Sequence, residues 1–254
     1  MNDKQNINFQ CNICGTFCQS SLSNLGREIP SCPACGSTVR MRSIIHILST
    51  ELFGDSIILP EFPENKKVTG MGMSDWSGYA EPLAQKMTYT NTYYHQEPQL
   101  DITSIDQQLE NTCDFIISSD VFEHIEPPIS VAFDNLFRLL KKEGVLIFTV
   151  PFVLKNEETL EHFPDLFNYS IEKNWRGQPL LKNITKDGRT QVFKNLTFHG
   201  GEGFTLEMRL FSKQSLIHYF SRSGFKKIKF YDESNQQYGI FWKDPWSLPL
   251  SVRK

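Results

Sequence analysis

Four of the six cysteines in this 254-residue chain form two C-x2-C pairs near the N-terminus, Cys11 with Cys14 and Cys32 with Cys35. A glycine follows each pair and lets the backbone turn its amide groups toward the thiolates. Two such turns can supply the four sulfur ligands of a tetrahedral zinc ion. The spacing therefore predicts a structural Zn²⁺ site formed by Cys11, Cys14, Cys32 and Cys35.

Two questions about the cysteines stay open at this stage. Cys18 lies between the pairs and is either an alternative ligand or a free thiol, of which we favour the free thiol. The cluster could also be redox-active instead of metal-bound. Only Cys113 follows the cluster, whereas a secreted disulfide framework would spread its cysteines. This distribution, together with a polar N-terminus, predicts a cytoplasmic protein.

A glycine-rich segment provides the second candidate for chemistry. It follows a predicted strand at 66–69 and reads Gly70-Met-Gly72-Met-Ser74. A strand, a G-x-G turn and a helix bring backbone close to a ligand at the carboxyl edge of a parallel sheet. Ser74 replaces the third glycine of a dinucleotide fingerprint, which favours a ligand without a pyrophosphate.

Two polar segments further along the chain are expected at the same edge. Asp101 follows Gly72 by about 30 residues, and Ser119-Asp120 follows a predicted buried strand at 113–118. The loops after these strands converge at the switch point of a doubly wound sheet. Together they could bind a sugar, an adenine amine and an adenine face.

The remaining elements predict an α/β fold, with a doubly wound Rossmann-like sheet preceded by a small zinc-ribbon-like module. One predicted helix begins at Ser37 or Thr38 and ends at Gly54, and three further helices are predicted at 76–87, 127–142 and 212–221. Further strands are predicted at 88–94 and 145–150, with a closing pair at 225–231 and 238–242. We expect a zinc module at 1–40, a helix and linker at 41–64, and a main domain at 65–254. Within it, the irregular segment 152–206 is expected to be a lid.

Two stretches carry a family resemblance: CDFIISSDVFEHIEPP at 113–128 and NLFRLLKKEGVLIFTVP at 135–151. They resemble class I S-adenosylmethionine-dependent methyltransferases, over about 65–151 and more loosely over 208–245. The segment SCPACGS at 31–37, with the arginine-rich helix after it, is also similar to the front end of some uncharacterised bacterial methyltransferases.

The resemblance implies S-adenosylmethionine as the methyl donor and assigns roles to residues. It implies that the backbone of Gly70, Gly72 and Ser74 borders the methionine part of the donor, that Asn91 stands at the ribose position, that Asp101 and Ile102 flank adenine, and that Ser119, Asp120 and Val121 line the floor near the sulfonium.

Two acids of the family pattern are missing. Val68-Thr69 stand where an acid usually precedes the glycine turn, and Asn91-Thr92 stand where an acid usually grips the ribose. Asn91 can hydrogen-bond a hydroxyl but lacks the strength of a carboxylate. These departures keep open a non-catalytic binding protein on a methyltransferase fold.

Candidates for proton transfer lie just after the segment 119–121 that is expected to line the donor site, and again in the predicted lid. Methyl transfer requires alignment, a dry cavity and often a base. Glu123 and His124 lie just past the floor, and His199 lies among glycines in FHGGEG, so these three are the predicted catalytic residues; His162 is a weaker candidate. The competing interpretation is that they cap, pack or form a plain turn.

Charge narrows the choice of partner. The net charge is −3 and no basic stripe is evident, so nucleic acid is an unlikely partner, and the longest apolar run, 145–154, is too short to cross a membrane. The leading hypothesis is methyl transfer to an O, N or C atom of a small-molecule or glycan-like acceptor. The alternative is an RNA methyltransferase in which Arg27, Arg40 and Arg42 contact phosphates.

Overall fold

The computed structural model describes residues 6–155, 157–199, 205–243 and 246–254. Its helices are α1 Val39–Phe53, α2 Ser77–Lys86, α3 Ser130–Leu139 and α4 Lys213–Arg222. Its strands are β1 Asn6–Gln10, β2 Phe17–Ser21, β3 Asn65–Met73, β4 Met87–Thr92, β5 Cys113–Ser119, β6 Leu140–Thr149, β7 Phe152–Val153, β8 Leu160–Glu161, β9 Asn168–Lys173, β10 Pro179–Ile184, β11 Thr190–Phe193, β12 Phe198–His199, β13 Thr205–Leu206, β14 Arg209–Ser212, β15 Lys226–Phe230 and β16 Leu250–Arg253.

A six-stranded sheet forms the centre of the fold, in the order β15-β16-β6-β5-β3-β4. Strands β3 to β6 run parallel, and β16 is antiparallel to both of its neighbours. The chain passes from β4 back across β3 to β5, so the strand order reverses beside β3. This reversal is the switch point of a doubly wound sheet, and the predicted fold class is confirmed.

Helices cover both faces of the sheet because the side chains of β5 and β6 alternate between two buried clusters. Ile117 and Ile147 join the cluster that contains residues of α1 and α2. Ile116 and Phe148 join the cluster that contains residues of α3 and α4. In the part of the chain that the structure describes, no helix has the length and apolar character needed to span a membrane.

Three sequence-based boundaries are wrong. Strand β3 continues to Met73, so Gly70 and Gly72 lie within the strand instead of in a turn. The helix expected at 127–142 is α3, which ends at Leu139 because residues from Leu140 onward pair with β5.

The closing strand pair is also different, because β15 pairs with β16 and not with 238–242. Residues Gln236–Tyr238 form a 3-10 turn that ends at Gly239, with φ +63°. A Cβ on Gly239 would lie 2.6 Å from the ring of Phe9, so the glycine allows segment 236–239 to pack closely against β1.

The segment 152–206, expected as a lid, contains regular structure of its own. Strands β9, β10 and β11 form a three-stranded antiparallel sheet. Phe163, Leu181, Leu206 and Met208 form a separate small hydrophobic cluster beneath it. The glycine-rich positions 200–203 of the sequence analysis lie outside the described residues.

The cysteine-rich segment packs into the main core. Phe9, Ile13 and Leu25 belong to the same buried cluster as Ile44 and Leu48 of α1. Thr38 caps α1 by accepting the Met41 amide, and Gly54 ends the helix in the left-handed conformation, as predicted. The N-terminal segment is therefore fastened to one face of the sheet by α1.

Arg42 is the buried charge at this junction. Its side chain is fully buried and donates to the carbonyls of Ser37, Tyr238 and Gly239 at 2.8–2.9 Å. Burial lowers the pKa of Arg42, whereas the thiolates of the cysteine cluster raise it. The complete burial of Arg42 excludes the phosphate contact considered for this residue.

Replacing Arg42 by Met should destabilise the protein by about 3 kcal/mol, because three buried carbonyls lose their donor. Urea unfolding measures the change. Arg138→Met is the matched control, since Arg138 is 46% exposed and pairs with Glu110 at the surface, and it should cost less than about 1 kcal/mol. Equal losses in the two variants would contradict the role of Arg42.

Candidate functional site

The four predicted zinc ligands come together in the structure. The sulfur atoms of Cys11, Cys14, Cys32 and Cys35 all lie within 4.8 Å of one another. Two of the separations, Cys11 to Cys35 and Cys14 to Cys32, are 3.7 and 3.6 Å. Four thiolates at a Zn–S distance of about 2.3 Å would lie about 3.8 Å apart, so the geometry fits a tetrahedral ion.

Backbone geometry explains the placement of these sulfurs. The amides of Gly15 and Gly36 donate to the carbonyls of Cys11 and Cys32 at 2.8 Å, and both glycines have φ near +80°. Burial opposes ionisation of Cys32, but the backbone amides of Cys35 and Ala34 lower its pKa to about 6. A thiolate is the form that binds metal.

Cys18 differs from the four. Its sulfur lies 3.7 Å from that of Cys32, and burial raises the pKa of Cys18 to about 12. All six cysteines, which lie in the described part of the chain, are free of disulfides. A protonated Cys18 beside four ligands agrees with the interpretation that it is a free thiol.

The register of the sheet brings the predicted donor-binding segments to one edge. Met73 is paired with Thr92 on one side and with Ser118 on the other. Ser74 and Ser119 therefore start the loops at neighbouring strand ends. Ser74 adopts φ +57°, the conformation that a glycine would take in this position.

Asp75, which the sequence analysis did not single out, organises the first of these loops. Its carboxylate is buried and accepts hydrogen bonds from the hydroxyls of Tyr79, at 2.8 Å, and Tyr89. Burial raises its pKa to about 7, against the two tyrosine hydrogen bonds. A Cβ on Gly72 would lie 2.0 Å from the Tyr89 hydroxyl oxygen, so this glycine makes room for the protein's own Asp75–Tyr89 contact.

Asn91 ties the same loop to β4. Its side-chain oxygen accepts the Asp75 amide, and its side-chain nitrogen donates to the Asp75 carbonyl and to the Tyr93 hydroxyl, at 2.9–3.0 Å. Both of its donors are therefore used within the protein. A contact of Asn91 with a ribose hydroxyl is limited to the second lone pair of its oxygen.

The predicted adenine segment is also held by the protein. The Asp101 carboxylate accepts the amide and the hydroxyl of Thr103, at 2.8 and 2.7 Å. Ile102 is buried, and its carbonyl accepts from Asn135 of α3 at 2.8 Å. These bonds fix the loop beside the sheet edge.

Arginines from the N-terminal segment reach the end of β5. Arg27 forms two hydrogen bonds to the Asp120 carboxylate, at 2.8 and 2.9 Å, and Arg40 lies 3.2 Å from it and 2.5 Å from the Ser119 hydroxyl. Glu28 pairs with both arginines. We call Arg27, Arg40 and Asp120 the clasp.

The clasp leaves the Arg40 side chain only 17% exposed. Burial alone would raise the pKa of Asp120, but the charge and hydrogen bonds of Arg27, and the charge of Arg40, lower it to about 2. Asp120 is therefore an anion at neutral pH. Its φ of +53° is a strained conformation that these contacts hold in place.

The three predicted catalytic residues meet just beyond the clasp. Glu123 is fully buried, with His124 Nε2 at 3.7 Å and His199 Nδ1 at 4.0 Å from its carboxylate. The two imidazole rings lie 4.8 Å apart, edge to face. His162 does not contact Glu123 but bonds Glu207 at 2.8 Å.

Glu207 and Arg209 support this cluster and were missed from the sequence. Glu207 accepts a hydrogen bond from His162 at 2.8 Å, and its other carboxylate oxygen lies 3.0 Å from His199 Nε2. Arg209 is fully buried and donates to the carbonyls of Phe122 and Ile125, which flank Glu123 and His124. Neither lies in a recognisable motif; Glu-x-Arg before a helix is their only sequence signal.

The fold is a doubly wound sheet, and the polar side chains of the site gather at its carboxyl edge, beside the strand-order reversal. The profile of the Methyltransf_23 family, described as a methyltransferase domain, matches residues 54–229. The chain belongs to this family and is a methyltransferase. No curated protein sequence matches it.

Solved structures similar to this chain include three methyltransferases. They are the 1,6-didemethyltoxoflavin-N1-methyltransferase of Burkholderia thailandensis (12% identity, 84% of this chain and 77% of that chain, TM-score 0.44), the amino pentose methyltransferase CalS10 of Micromonospora echinaspora (10%, 86% and 92%, 0.47), and an S-adenosylmethionine-dependent methyltransferase of Mesorhizobium loti (13%, 76% and 93%, 0.41).

The sheet edge has polar atoms that a ligand could satisfy. The Ser118 hydroxyl and both Glu123 carboxylate oxygens are buried without a hydrogen-bond partner in the described ranges. Buried polar atoms without partners are rare and costly. The edge therefore fits a polar ligand such as the donor of this family, although Asn91 and Asp120 already have partners in the protein.

Zinc that resists dialysis against a weak chelator should be present at one equivalent. Cys32→Ser should lose it, because the ligand set falls to three thiolates, and Cys18→Ser should keep it. Metal analysis with a free-thiol count measures both. Loss of zinc from Cys18→Ser, or none in the wild type, would contradict the assigned ligands.

Asp120→Asn should lower the free energy of unfolding by about 2 kcal/mol at pH 7, the value of a pKa shift of this size. Because the folded pKa is depressed, the Asp120 contribution is complete above about pH 4 and is lost as the pH falls through 2. The difference between wild type and variant should shrink by about half at pH 3. A difference independent of pH would show that the clasp is not an ion pair.

Proposed function

We propose that the protein transfers a methyl group from S-adenosylmethionine to a small-molecule or glycan-like acceptor. The observation that carries the proposal is the Glu123–His124–His199 cluster, which lies beyond the carboxyl end of β5, next to the edge where this family binds its donor. The acceptor must reach this cluster from the side of segment 152–206, since His199 belongs to that segment and is 39% exposed.

When bound, the donor supplies a methyl group on a positively charged sulfur. The residues that would hold it are the backbone of Gly70, Gly72 and Ser74, the free lone pair of Asn91, the Asp101–Ile102 loop, and Ser119 with Val121. The Asp120 carboxylate is already paired with Arg27 and Arg40, so its charge is not free to attract the donor.

The acceptor proton is handled by the Glu/His cluster. Burial lowers the pKa of His124, so its imidazole is uncharged at neutral pH and can accept a proton. His199 Nε2 lies 3.0 Å from a Glu207 oxygen, and the other ring nitrogen, Nδ1, faces the cluster. Glu123, whose pKa burial raises well above its usual range, adds no second negative charge when protonated.

A small acceptor agrees with the state of the arginines. Arg27 and Arg40 are neutralised by Asp120 and Glu28, and Arg42 is fully buried. These three side chains therefore offer little positive charge to an RNA backbone. We further propose a reducing, cytoplasmic environment, which six free cysteines require.

Calorimetric titration with S-adenosylmethionine, followed by acceptor screening with radiolabelled donor, tests the proposal. We expect micromolar donor binding and labelled product with a hydroxylated or amino-bearing small molecule. No heat and no thermal shift with the donor would refute the proposed activity and favour a non-catalytic binding protein.

His199→Gln should lower kcat on the order of 100-fold while leaving donor affinity within about twofold, because the cluster acts on the acceptor and not on the donor. His218→Gln is the matched control, since His218 is exposed on α4. Equal kcat in His199→Gln and wild type would exclude the cluster from proton transfer.

A further inference from the structure

Three metal-binding side chains converge around Glu123. One carboxylate oxygen of Glu123 and one ring nitrogen each of His124 and His199 lie within 4.8 Å of one another. The separations from Glu123, 3.7 and 4.0 Å, are too long for hydrogen bonds. Ligand atoms held about 2.1 Å from one cation would lie about 3.0–3.4 Å apart, so a small inward movement of two side chains would complete the site.

Glu123 is the unpartnered member of this group. Its side chain has no exposed surface, and neither of its oxygens has a hydrogen-bond partner in the part of the chain that the structure describes. An isolated carboxylate in such a place is costly, and the imidazole nitrogens, at 3.7 and 4.0 Å, are too far away to accept a hydrogen bond from a protonated carboxyl group. A bound cation would compensate the charge of this buried carboxylate.

The two histidines are oriented for binding by their other nitrogens. His124 Nδ1 donates to the Leu206 carbonyl at 2.9 Å, and His199 Nε2 lies 3.0 Å from a Glu207 carboxylate oxygen. The His124 ring therefore carries its proton on the side away from Glu123, and the Glu207 oxygen beside His199 Nε2 favours the same tautomer there. Two imidazole nitrogens and a carboxylate therefore face one another. Such electron-rich atoms repel one another unless a cation lies between them.

The partners of these histidines resemble the outer shell of metal sites. Metal-bound histidines usually donate their other N–H to a carboxylate or a backbone carbonyl, and here one does each. Glu207 is itself fixed by His162 Nε2 at 2.8 Å, and the Met208 amide donates to the Glu123 carbonyl at 2.8 Å. The supports thus come from β14 and the loops beside it.

We propose that Glu123, His124 and His199 bind one divalent transition-metal cation, of the Zn²⁺, Co²⁺ or Fe²⁺ type, at a site separate from the four cysteines. One carboxylate and two imidazoles suit such a cation and leave coordination positions open. The assignment of these three cation ligands does not depend on which acceptor the protein methylates.

This cation site adds a step to the proposed function. Its role in catalysis rests on that proposed function, whereas cation binding itself does not. With the cation bound, the imidazole lone pairs are ligands and no longer accept a proton. An open coordination position would instead bind an oxygen of the acceptor and lower the pKa of its hydroxyl group, so that the proton passes to water. This would favour acceptors with a hydroxyl group that carries an adjacent polar oxygen.

The test uses the full-length protein with its cysteine site saturated by zinc. Co²⁺ is then titrated and followed by visible absorption. The wild type should bind one equivalent with ligand-field bands but without the sulfur-to-cobalt charge-transfer band that cysteine ligation would produce. Absence of saturable Co²⁺ binding, or appearance of the sulfur band alone, would overturn the proposal.

Three variants locate the cation. Glu123→Gln should abolish Co²⁺ binding, and His199→Ala should weaken it by about 10-fold or more, whereas His218→Ala should bind as the wild type does. Retained binding in both site variants would also overturn the proposal.

Thermal unfolding separates a lost ligand from a lost fold. Since the Glu123 side chain has no hydrogen-bond partner among the described residues, Glu123→Gln should melt no lower than the metal-free wild type, and only the wild type should gain stability when Co²⁺ is added. Because these readouts are independent of methyl transfer, Co²⁺ binding without donor binding would refute the proposed activity alone, and donor binding without Co²⁺ binding would refute the cation site alone.

Discussion

The ion pairs between Asp120 and two N-terminal arginines connect every functional part of this protein. Arg27 lies between the two cysteine pairs, and Arg40 lies in the first turn of α1, directly after the second pair. Asp120 directly follows the central strand β5 and begins the loop that carries Glu123 and His124. An anion 93 residues away from Arg27 thus fixes how the cysteine module sits over the edge of the sheet.

This arrangement explains why the module need not be an independent domain. Its apolar residues join the cluster of α1, and its charged residues are compensated at the sheet edge. Arg42 is satisfied by three carbonyls, one of them at the module's own second cysteine turn. A metal ion at the cysteines would hold the turns that present these arginines, so that metal binding and the shape of the site are linked.

The charges at the edge fall into two kinds. Those of the clasp are paired and remain ionised, as the low pKa of Asp120 indicates. The Glu123 side chain, three residues past Asp120, is buried without a hydrogen-bond partner in the part of the chain that the structure describes. Because unpaired buried charge is costly, it is kept where it binds something, and the contrast identifies Glu123 as the chemically interesting carboxylate of the edge.

Local patterns in the sequence were sufficient for the four parallel strands of the sheet and for the cysteine cluster. Helical periodicity with Thr38 and Gly54 at its ends predicted α1, and the glycine after each cysteine pair predicted the turns. The partner of β15 could not be predicted, because β16 is only four residues long and shows no alternation.

Long-range polar contacts were equally invisible. Arg27 with Asp120, and His199 with Glu207 around Glu123, depend on side chains that meet only after the sheet has formed, and an arginine in a loop looks the same whether it is solvated or paired. The sequence analysis therefore found the catalytic candidates but not Glu207, Arg209 or Asp75, which position the loops around them.

A crystal structure with S-adenosylhomocysteine tests the central claim most directly. The account predicts that its sulfur lies between the Gly72–Ser74 and Ser119–Val121 segments and faces the Glu123 cluster, with the Arg27–Asp120 contact intact. Binding at another place, or failure to bind at saturating concentration, would contradict the claim that this edge is a methyl-transfer site.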